Sequence, residues 1–422
     1  MIDSGPLLDR IFLPDAVLRA SAINLARTGF PESLRPAARL GVLDITEFYG
    51  DTTGGIRTYL RAKARYVEAR PELRQVLVLP GARDALSGSD GVRCYRLRGP
   101  RVPTQAPYRF MLATRTNRRI MLHERPDVIE VGSPGLVPWI ARFASRGLDI
   151  PAVAFYHSNF PRLFSPFPEK AGGARRALGD LAWKYARTID KHFAHTIACS
   201  EFAADDLRRA GVERVTRIPL GVDLAHYTPE RRARRAESRL QYGLTDGPLA
   251  GFVGRFAAEK ELDVLLDAWP QVYARTRAQL VLIGDGPMRS QLESRLRDAP
   301  WARILPYETD RDRLADLIAA LDIYVGPCSV ETFGLSALEA LASGTPVLAA
   351  DRGGIGEQVI ASGAGRCFVS GQAASLAEEA VALLAADLSA LGALGRQYAE
   401  RDHSWDAVFD RIFAVYASVV RR

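Results

Sequence analysis

Four charged residues open a chemical reading of this chain. The segment Glu331-Thr-Phe-Gly-Leu-Ser-Ala-Leu-Glu339 sets two carboxylates around Gly334, just ahead of and inside a helical pattern that stops at Gly344 and Pro346. A helix start offers unpaired backbone N–H groups and the positive end of a dipole, which suit a phosphate or sugar hydroxyls. Gly334 lets backbone approach a ligand closely. Upstream, the apolar run Leu249–Val253 ends in Gly254-Arg255, and Lys260 follows five residues later. Arg supplies a planar fork for phosphate oxygens and Lys a point charge, so the pair matches a diphosphate. Cations for diphosphate beside carboxylates for hydroxyls describe a nucleotide-sugar site. Plainer readings exist for each residue: Ser336-x-x-Glu339 is also a capping box, Glu331 a solvated loop acid, either cation a surface charge.

Such residues converge only if strands and helices carry them to one edge. Short β-rich runs at Leu40–Ile45, Gln75–Leu79, Asp127–Val131, Ala152–Tyr156 and Thr196–Cys199 alternate with helical stretches such as Ile56–Glu68. The second half repeats the rhythm. Its strands are Leu249–Val253, Leu280–Ile283, Ile304–Pro306, Asp322–Val325 and Pro346–Ala350, and its helices include Leu262–Tyr273, Met288–Leu296, Arg313–Leu321 and Ser336–Ala342. Alternation of this kind predicts α/β architecture with parallel sheets, and open sheets of that type bind ligands at the carboxyl ends of their strands. The rhythm stops and restarts near Pro219-Leu220-Gly221-Val222-Asp223, so two domains are expected: 1–217, with an extension over 1–38, and 218–402. A last helix over 403–422 is expected to pack back on the first. A (β/α)₈ barrel is the rival, but two sheet domains divide the length more naturally.

Composition bounds the partners. The 422 residues are 47% hydrophobic and 25% charged, which excludes a disordered chain, and no apolar run reaches the ~20 residues that span a bilayer. The first residues lack a signal-peptide pattern, so a cytoplasmic protein is expected. Cys94, Cys199, Cys328 and Cys367 have no paired spacing, so neither zinc nor disulfides are indicated. A net charge of +7 favours polyanionic partners: phosphorylated small molecules, nucleic acid or an anionic membrane face.

Gly254-Arg255 with Lys260, then Glu331-x₇-Glu339 within ETFGLSALEALASGTPVLAADRGGIGE, resemble the donor-site signature of the retaining family-4 glycosyltransferases. The resemblance runs from Gly54-Gly55 to about Gly356 and is strongest over 249–357. It implies the GT-B fold, two Rossmann-like domains facing across a cleft, with a UDP- or GDP-linked sugar held by the C-terminal one and no cofactor or metal. By that resemblance Arg255 and Lys260 bind diphosphate, Glu339 the ribose and Glu331 the donor sugar, while the backbone of Phe333, Gly334 and Leu335 touches sugar and phosphate. Gly54-Gly55 resembles the family's glycine loop near phosphates and acceptor; a tight turn would use the same two glycines. His157, in FYHSNFP, resembles the family histidine near the reacting sugar.

The acceptor is expected to be a membrane lipid or lipid-linked glycan, because FYHSNFPRLF is similar to lipid-directed members such as glycosyl- or sulfoquinovosyl-diacylglycerol synthases. Phe160 and Phe164 would line that site or pack a loop. Residues 92–125 are rich in arginine, including Arg96, Arg98 and Arg101, with Tyr108 and Phe110 interleaved; this reads as an anionic docking patch or a solvated surface. Docking would place the protein peripherally on the inner membrane face. Rival functions are transfer to a soluble sugar or sugar phosphate, a sugar-nucleotide epimerase of the same architecture, and a basic nucleic-acid-binding protein, which the lack of a recognised binding module opposes. Gly284-Asp285-Gly286 lacks the third glycine of a dinucleotide fingerprint. Asp310 and Asp312 suggest either a metal-binding acid pair or helix capping, and the helix that follows favours capping.

Overall fold

The computed structural model describes residues 30, 32, 34–35, 37–50, 54–103, 108–159, 161–162 and 173–420. The chain divides into two units, one running to Ala198 and taking in Ala204–Ile218 and the stretch from Phe409, the other holding Cys199–Ala203 and Pro219–Val408.

The first unit is an eight-stranded sheet in the order β3-β4-β2-β1-β5-β6-β7-β8. Its strands are β1 (Leu40–Ile45), β2 (Leu73–Gly81), β3 (Ala85–Gly88), β4 (Val92–Arg98), β5 (Val128–Val131), β6 (Ala152–Tyr156), β7 (His195–Ala198) and β8 (Val215–Arg217). All neighbours pair in parallel except β3, which runs antiparallel to β4. Helices α1 (Gly55–Glu68), α2 (Thr114–Glu124), α3 (Val137–Ala144), α4 (Gly173–Asp190) and α5 (Glu201–Arg209) connect them. β2 is buried along its whole length, as expected of a central parallel strand covered on both faces. Leu43, Val76 and Ile129 pack on Ile120, Val137 and Ile140.

Two features of the arginine-rich stretch differ from the expectation. It contains β4 and α2, and Arg96 is 1% exposed, its guanidinium 5.4 Å from the Tyr49 ring centre. Arg93 pairs with buried Glu124 at 2.6 Å. Arg96 sits inside β4 and is covered by Tyr49, so it faces the protein and not a membrane; Arg98, on the same face at the strand's end, and Arg101 are exposed.

The second unit is a six-stranded sheet, parallel throughout, in the order β11-β10-β9-β12-β13-β14. Its strands are β9 (Leu249–Val253), β10 (Gln279–Ile283), β11 (Ala302–Leu305), β12 (Ile323–Gly326), β13 (Val347–Ala350) and β14 (Gly365–Phe368). Between them run α6 (Arg235–Gln241, before β9), α7 (Leu262–Thr276), α8 (Arg289–Leu296), α9 (Arg311–Ala320), α10 (Leu335–Ala342) and α11 (Gly353–Ser362). After β14 come α12 (Ala373–Leu384) and α13 (Leu388–Asp402), and then α14 (Trp405–Val420), which from Phe409 on belongs to the first unit. Phe252, Leu280, Ile323 and Leu348 meet Trp269 and Leu376 in its core. In sequence order this is the doubly wound 3-2-1-4-5-6 arrangement, and its direction reverses between β9 and β12.

Candidate functional site

Ligands of doubly wound sheets sit outside the carboxyl ends of the strands where the order reverses. In the second unit those strands are β9, which delivers Gly254 and Arg255, and β12, which leads into the loop carrying Glu331. Lys260 closes the short 3₁₀ turn Ala258–Lys260 after β9. Its ammonium forms an ion pair with Glu331, both side chains about one-fifth exposed. Burial opposes the ammonium charge, but the Glu331 carboxylate, through its own charge and its hydrogen bond, holds the ammonium well above the ordinary lysine range. Arg255 is half-buried on the same rim.

Glycines shape this edge. Gly284 and Gly286, after β10, lie so close to the carbonyls of Gly254 and Phe256 that a Cβ on either would collide with them. They are packing glycines for the rim that carries Arg255. Gly334 has φ +86°, and its Cβ would also strike Ile355, so the fold itself demands glycine there. Gly353 and Gly354, opening α11, press on the backbone of Ser329–Phe333, and the Gly354 amide donates to the Glu331 carbonyl at 2.7 Å. The loop carrying Glu331 is thus clamped from behind. Phe333 is buried and Leu335 half-buried.

The capping-box alternative for Glu339 does not describe the structure. Gly334 occupies the N-cap of α10, and the Ser336 hydroxyl pairs with that of Tyr324 at 2.7 Å. Glu339 instead accepts a hydrogen bond from Tyr227, with Arg311 nearby. Burial pushes its carboxyl up to about 7, against the lowering effects of Arg311 and Tyr227. Asp310, by contrast, is a cap: its Oδ1 accepts from the Asp312 and Arg313 amides at 2.9 and 3.2 Å. Asp312 pairs with Arg231 at 2.6 Å.

In the first unit the strand order reverses between β1 and β5. Gly54 and Gly55 lie at the start of α1 after β1. Among the described residues no atom lies within 4 Å of the Cβ either would carry, and neither has a positive φ. Packing against the described residues therefore does not require glycine there. His157 follows β6; its ring stacks on Phe155 at 4.0 Å and meets Tyr59 edge-on at 4.8 Å. Loss of water around the ring pushes its pKa down to about 4, so the imidazole is neutral at pH 7. Tyr108 and Phe110 are half-buried, Tyr108 lying 5.7 Å from Phe48. Phe160 and Phe164 fall outside the described residues.

Several polar residues at these edges were not evident from sequence. Glu47, just past β1, accepts the Leu136 amide at 3.1 Å ahead of α3, and its second oxygen is buried without a hydrogen-bond partner among the described residues. Tyr227 and Arg311, around Glu339, carry no motif. A cluster around Lys63 lies beneath His157. Only the β/α phase, which points Asp44 and Glu130 toward α1, hinted at it.

Two doubly wound α/β units, one with cations and carboxylates at its switch point, define a GT-B glycosyltransferase. Known structures agree on the fold: sucrose-phosphate synthase from Thermosynechococcus elongatus superposes with a TM-score of 0.74 at 21% identity, covering 91% of this chain and 100% of that one. The lipopolysaccharide glycosyltransferase WaaG gives 0.67 at 15% identity, covering 89% and 99%. Residues 53–226 match the family described as Glycosyltransferase Family 4, and residues 247–386 match Glycosyl transferases group 1. A GDP-mannose-dependent alpha-(1-6)-phosphatidylinositol dimannoside mannosyltransferase of Mycobacterium tuberculosis is 30% identical over 331 residues, 77% of this chain and 83% of that protein. A sulfoquinovosyl transferase of Arabidopsis thaliana is 31% identical over 237 residues, 55% of this chain and 44% of the relative. The chain belongs to the family-4 glycosyltransferases, and as an enzyme it is a hexosyltransferase using a nucleotide sugar.

Proposed function

We propose that this enzyme transfers a hexose, with retention of anomeric configuration, to a hydroxyl of a membrane lipid or lipid-linked glycan. The observation that carries the donor side is the placement of Arg255, Lys260 and Glu331 after β9 and β12, the two strands flanking the switch point. In this reading Arg255 and Lys260 bind the diphosphate, Glu339 the ribose and Glu331 the sugar hydroxyls. Lys260 also holds Glu331 in place through their ion pair. Backbone of Phe333, Gly334 and Leu335 lies along sugar and phosphate.

The bond from the anomeric carbon to the diphosphate oxygen breaks, and its electron pair leaves with the diphosphate. Arg255, Lys260 and backbone N–H groups stabilise that developing charge. The acceptor oxygen bonds to the same face of the carbon, and its proton passes to the departing phosphate oxygen. His157, neutral at pH 7, sits beside the reacting sugar as a hydrogen-bonding group. Gly54 and Gly55 leave room for phosphate at the start of α1.

A lipid acceptor is supported by the relatives named for transfer to phosphatidylinositol mannosides. No helix among the described residues is long and apolar enough to cross a membrane, and peripheral attachment through exposed Arg98 and Arg101 beside Tyr108 and Phe110 fits a surface that is anionic and half apolar. The test has two parts. A panel of UDP-, GDP- and ADP-sugars is screened for thermal stabilisation and hydrolysis, and the product anomer is read by NMR; an inverted product overturns retention. Binding to anionic vesicles should exceed binding to neutral ones and fall in Arg98→Gln/Arg101→Gln. Indifference to anionic vesicles at low salt makes a soluble acceptor the better reading.

A further inference from the structure

The first unit contains a buried charged cluster that the reaction scheme leaves unused. Lys63 on α1 has no exposed side-chain surface. Its ammonium donates to Asp44 Oδ1 at 2.5 Å, to Glu130 Oε2 at 3.2 Å and to the Tyr416 hydroxyl at 2.8 Å. Asp44 and Glu130 are register neighbours on β1 and β5. Gln75 donates to the other Asp44 oxygen at 2.7 Å, Tyr59 donates to Glu130 at 2.9 Å, and the Tyr416 hydroxyl donates to Glu130 as well. Burial drives the Asp44 carboxyl up to about 7 against the pull of Lys63. For Glu130 burial is again the largest single effect and acts upward, but Lys63 together with hydrogen bonds from the Asp44 and Tyr416 side chains outweighs it and keeps this carboxyl below its ordinary value.

As a source of stability alone, such a cluster is a weak choice. Each buried ion costs several kcal/mol of lost hydration, and apolar residues of equal volume often serve as well. Its geometry offers a different role. Tyr59 lies one helical turn before Lys63, and its hydroxyl is anchored by Glu130. The Tyr59 ring borders His157 at 4.8 Å and Phe155 at 5.0 Å, while Phe409 of α14 backs it at 5.6 Å. Tyr416 reaches the cluster from the same α14, whose Asp410 also accepts from Tyr66 of α1 at 2.6 Å.

We propose that Lys63, Glu130 and Tyr416 are positioning residues for His157, fixing the Tyr59 hydroxyl and, through its ring, the plane of the imidazole. None of the three touches substrate. The chain's last helix thereby sets the geometry of a histidine more than 250 positions earlier. The proposal rests on the reading of His157 as a group beside the reacting sugar.

Tyr416→Phe removes one hydroxyl and little volume, so it is the primary probe in the full-length enzyme. Sugar transfer by Tyr416→Phe should fall roughly tenfold in kcat with the donor KM unchanged, because Arg255, Lys260, Glu331 and Glu339 belong to the other unit and none of them is part of the cluster. In a His157→Ala background the same change should cost nothing further, as expected of residues acting through one another. Glu130→Gln is the second variant. In ¹⁵N-histidine-labelled protein, the His157 ring shifts should move in Tyr416→Phe while the other five histidines stay put. A lowered melting temperature with unchanged kcat and unchanged His157 shifts would reduce the cluster to a structural clamp. An undiminished loss in the His157→Ala background would also overturn the proposal. If His157→Ala itself retains full turnover, the reading of His157 is what fails, and the proposal falls with it.

Discussion

Glu339 offers a quantitative test of the donor site. Burial raises its carboxyl from 4.5 to about 7 in the unliganded protein, a penalty of roughly 3 kcal/mol on the ionised form at ~1.4 kcal/mol per tenfold. A carboxylate is the better acceptor for two ribose hydroxyls, so donor binding should select the ionised form. Affinity for an intact sugar nucleotide, whose diphosphate stays ionised throughout, should then rise about tenfold between about pH 6 and pH 8 and level off above. Isothermal titration calorimetry across that range reads this directly. Glu339→Gln should bind more weakly and without the pH slope. In the absence of donor the sign reverses: the folded state holds the Glu339 proton more tightly than the unfolded chain. That contribution to stability is complete below about 4.5 and is lost as pH climbs through about 7. The melting temperature of wild type, relative to Glu339→Gln, should fall over that window. Equal pH slopes of donor affinity in wild type and Glu339→Gln would refute the assignment of ribose to this carboxylate.

Three further outcomes follow from the same geometry. Arg255→Ala and Lys260→Ala should each weaken donor binding by ~1.5–3 kcal/mol, and Lys260→Ala with Glu331→Gln should be non-additive because the two side chains are paired; strict additivity in both binding and turnover would argue against a working pair. Asp310→Ala should cost ~1 kcal/mol of stability as a lost N-cap and leave turnover intact with or without excess chelator; activity abolished by chelation and restored by magnesium or manganese would return the acid pair to a metal-binding role. Gly334→Ala meets both a left-handed backbone and the Ile355 side chain, so its melting temperature should drop and transfer fall with it; a stable, fully active variant would show that the loop has room to move.

The sequence alone determined the features that depend on neighbours in the chain. The β/α rhythm made both sheets legible, and Arg255, Lys260 and Glu331 were visible because residues just past a parallel strand emerge at the same edge. Asp310 was equally legible, since a cap needs only the amides two and three positions on. Local spacing failed where a distant partner offered a better bond. Ser336-x-x-Glu339 has the capping spacing, yet Tyr324 takes the serine and Tyr227 the glutamate. The arginine run read as surface until strand pairing turned Arg96 inward toward Tyr49. The cluster beneath His157 lay furthest from sequence reasoning. Lys63 finds its partners 19, 67 and 353 positions away, and no local pattern marks a lysine for burial. Only the parallel register of β1 and β5, with the last helix returning across α1, brings enough opposite charge and hydroxyl groups together to hold that ammonium out of water.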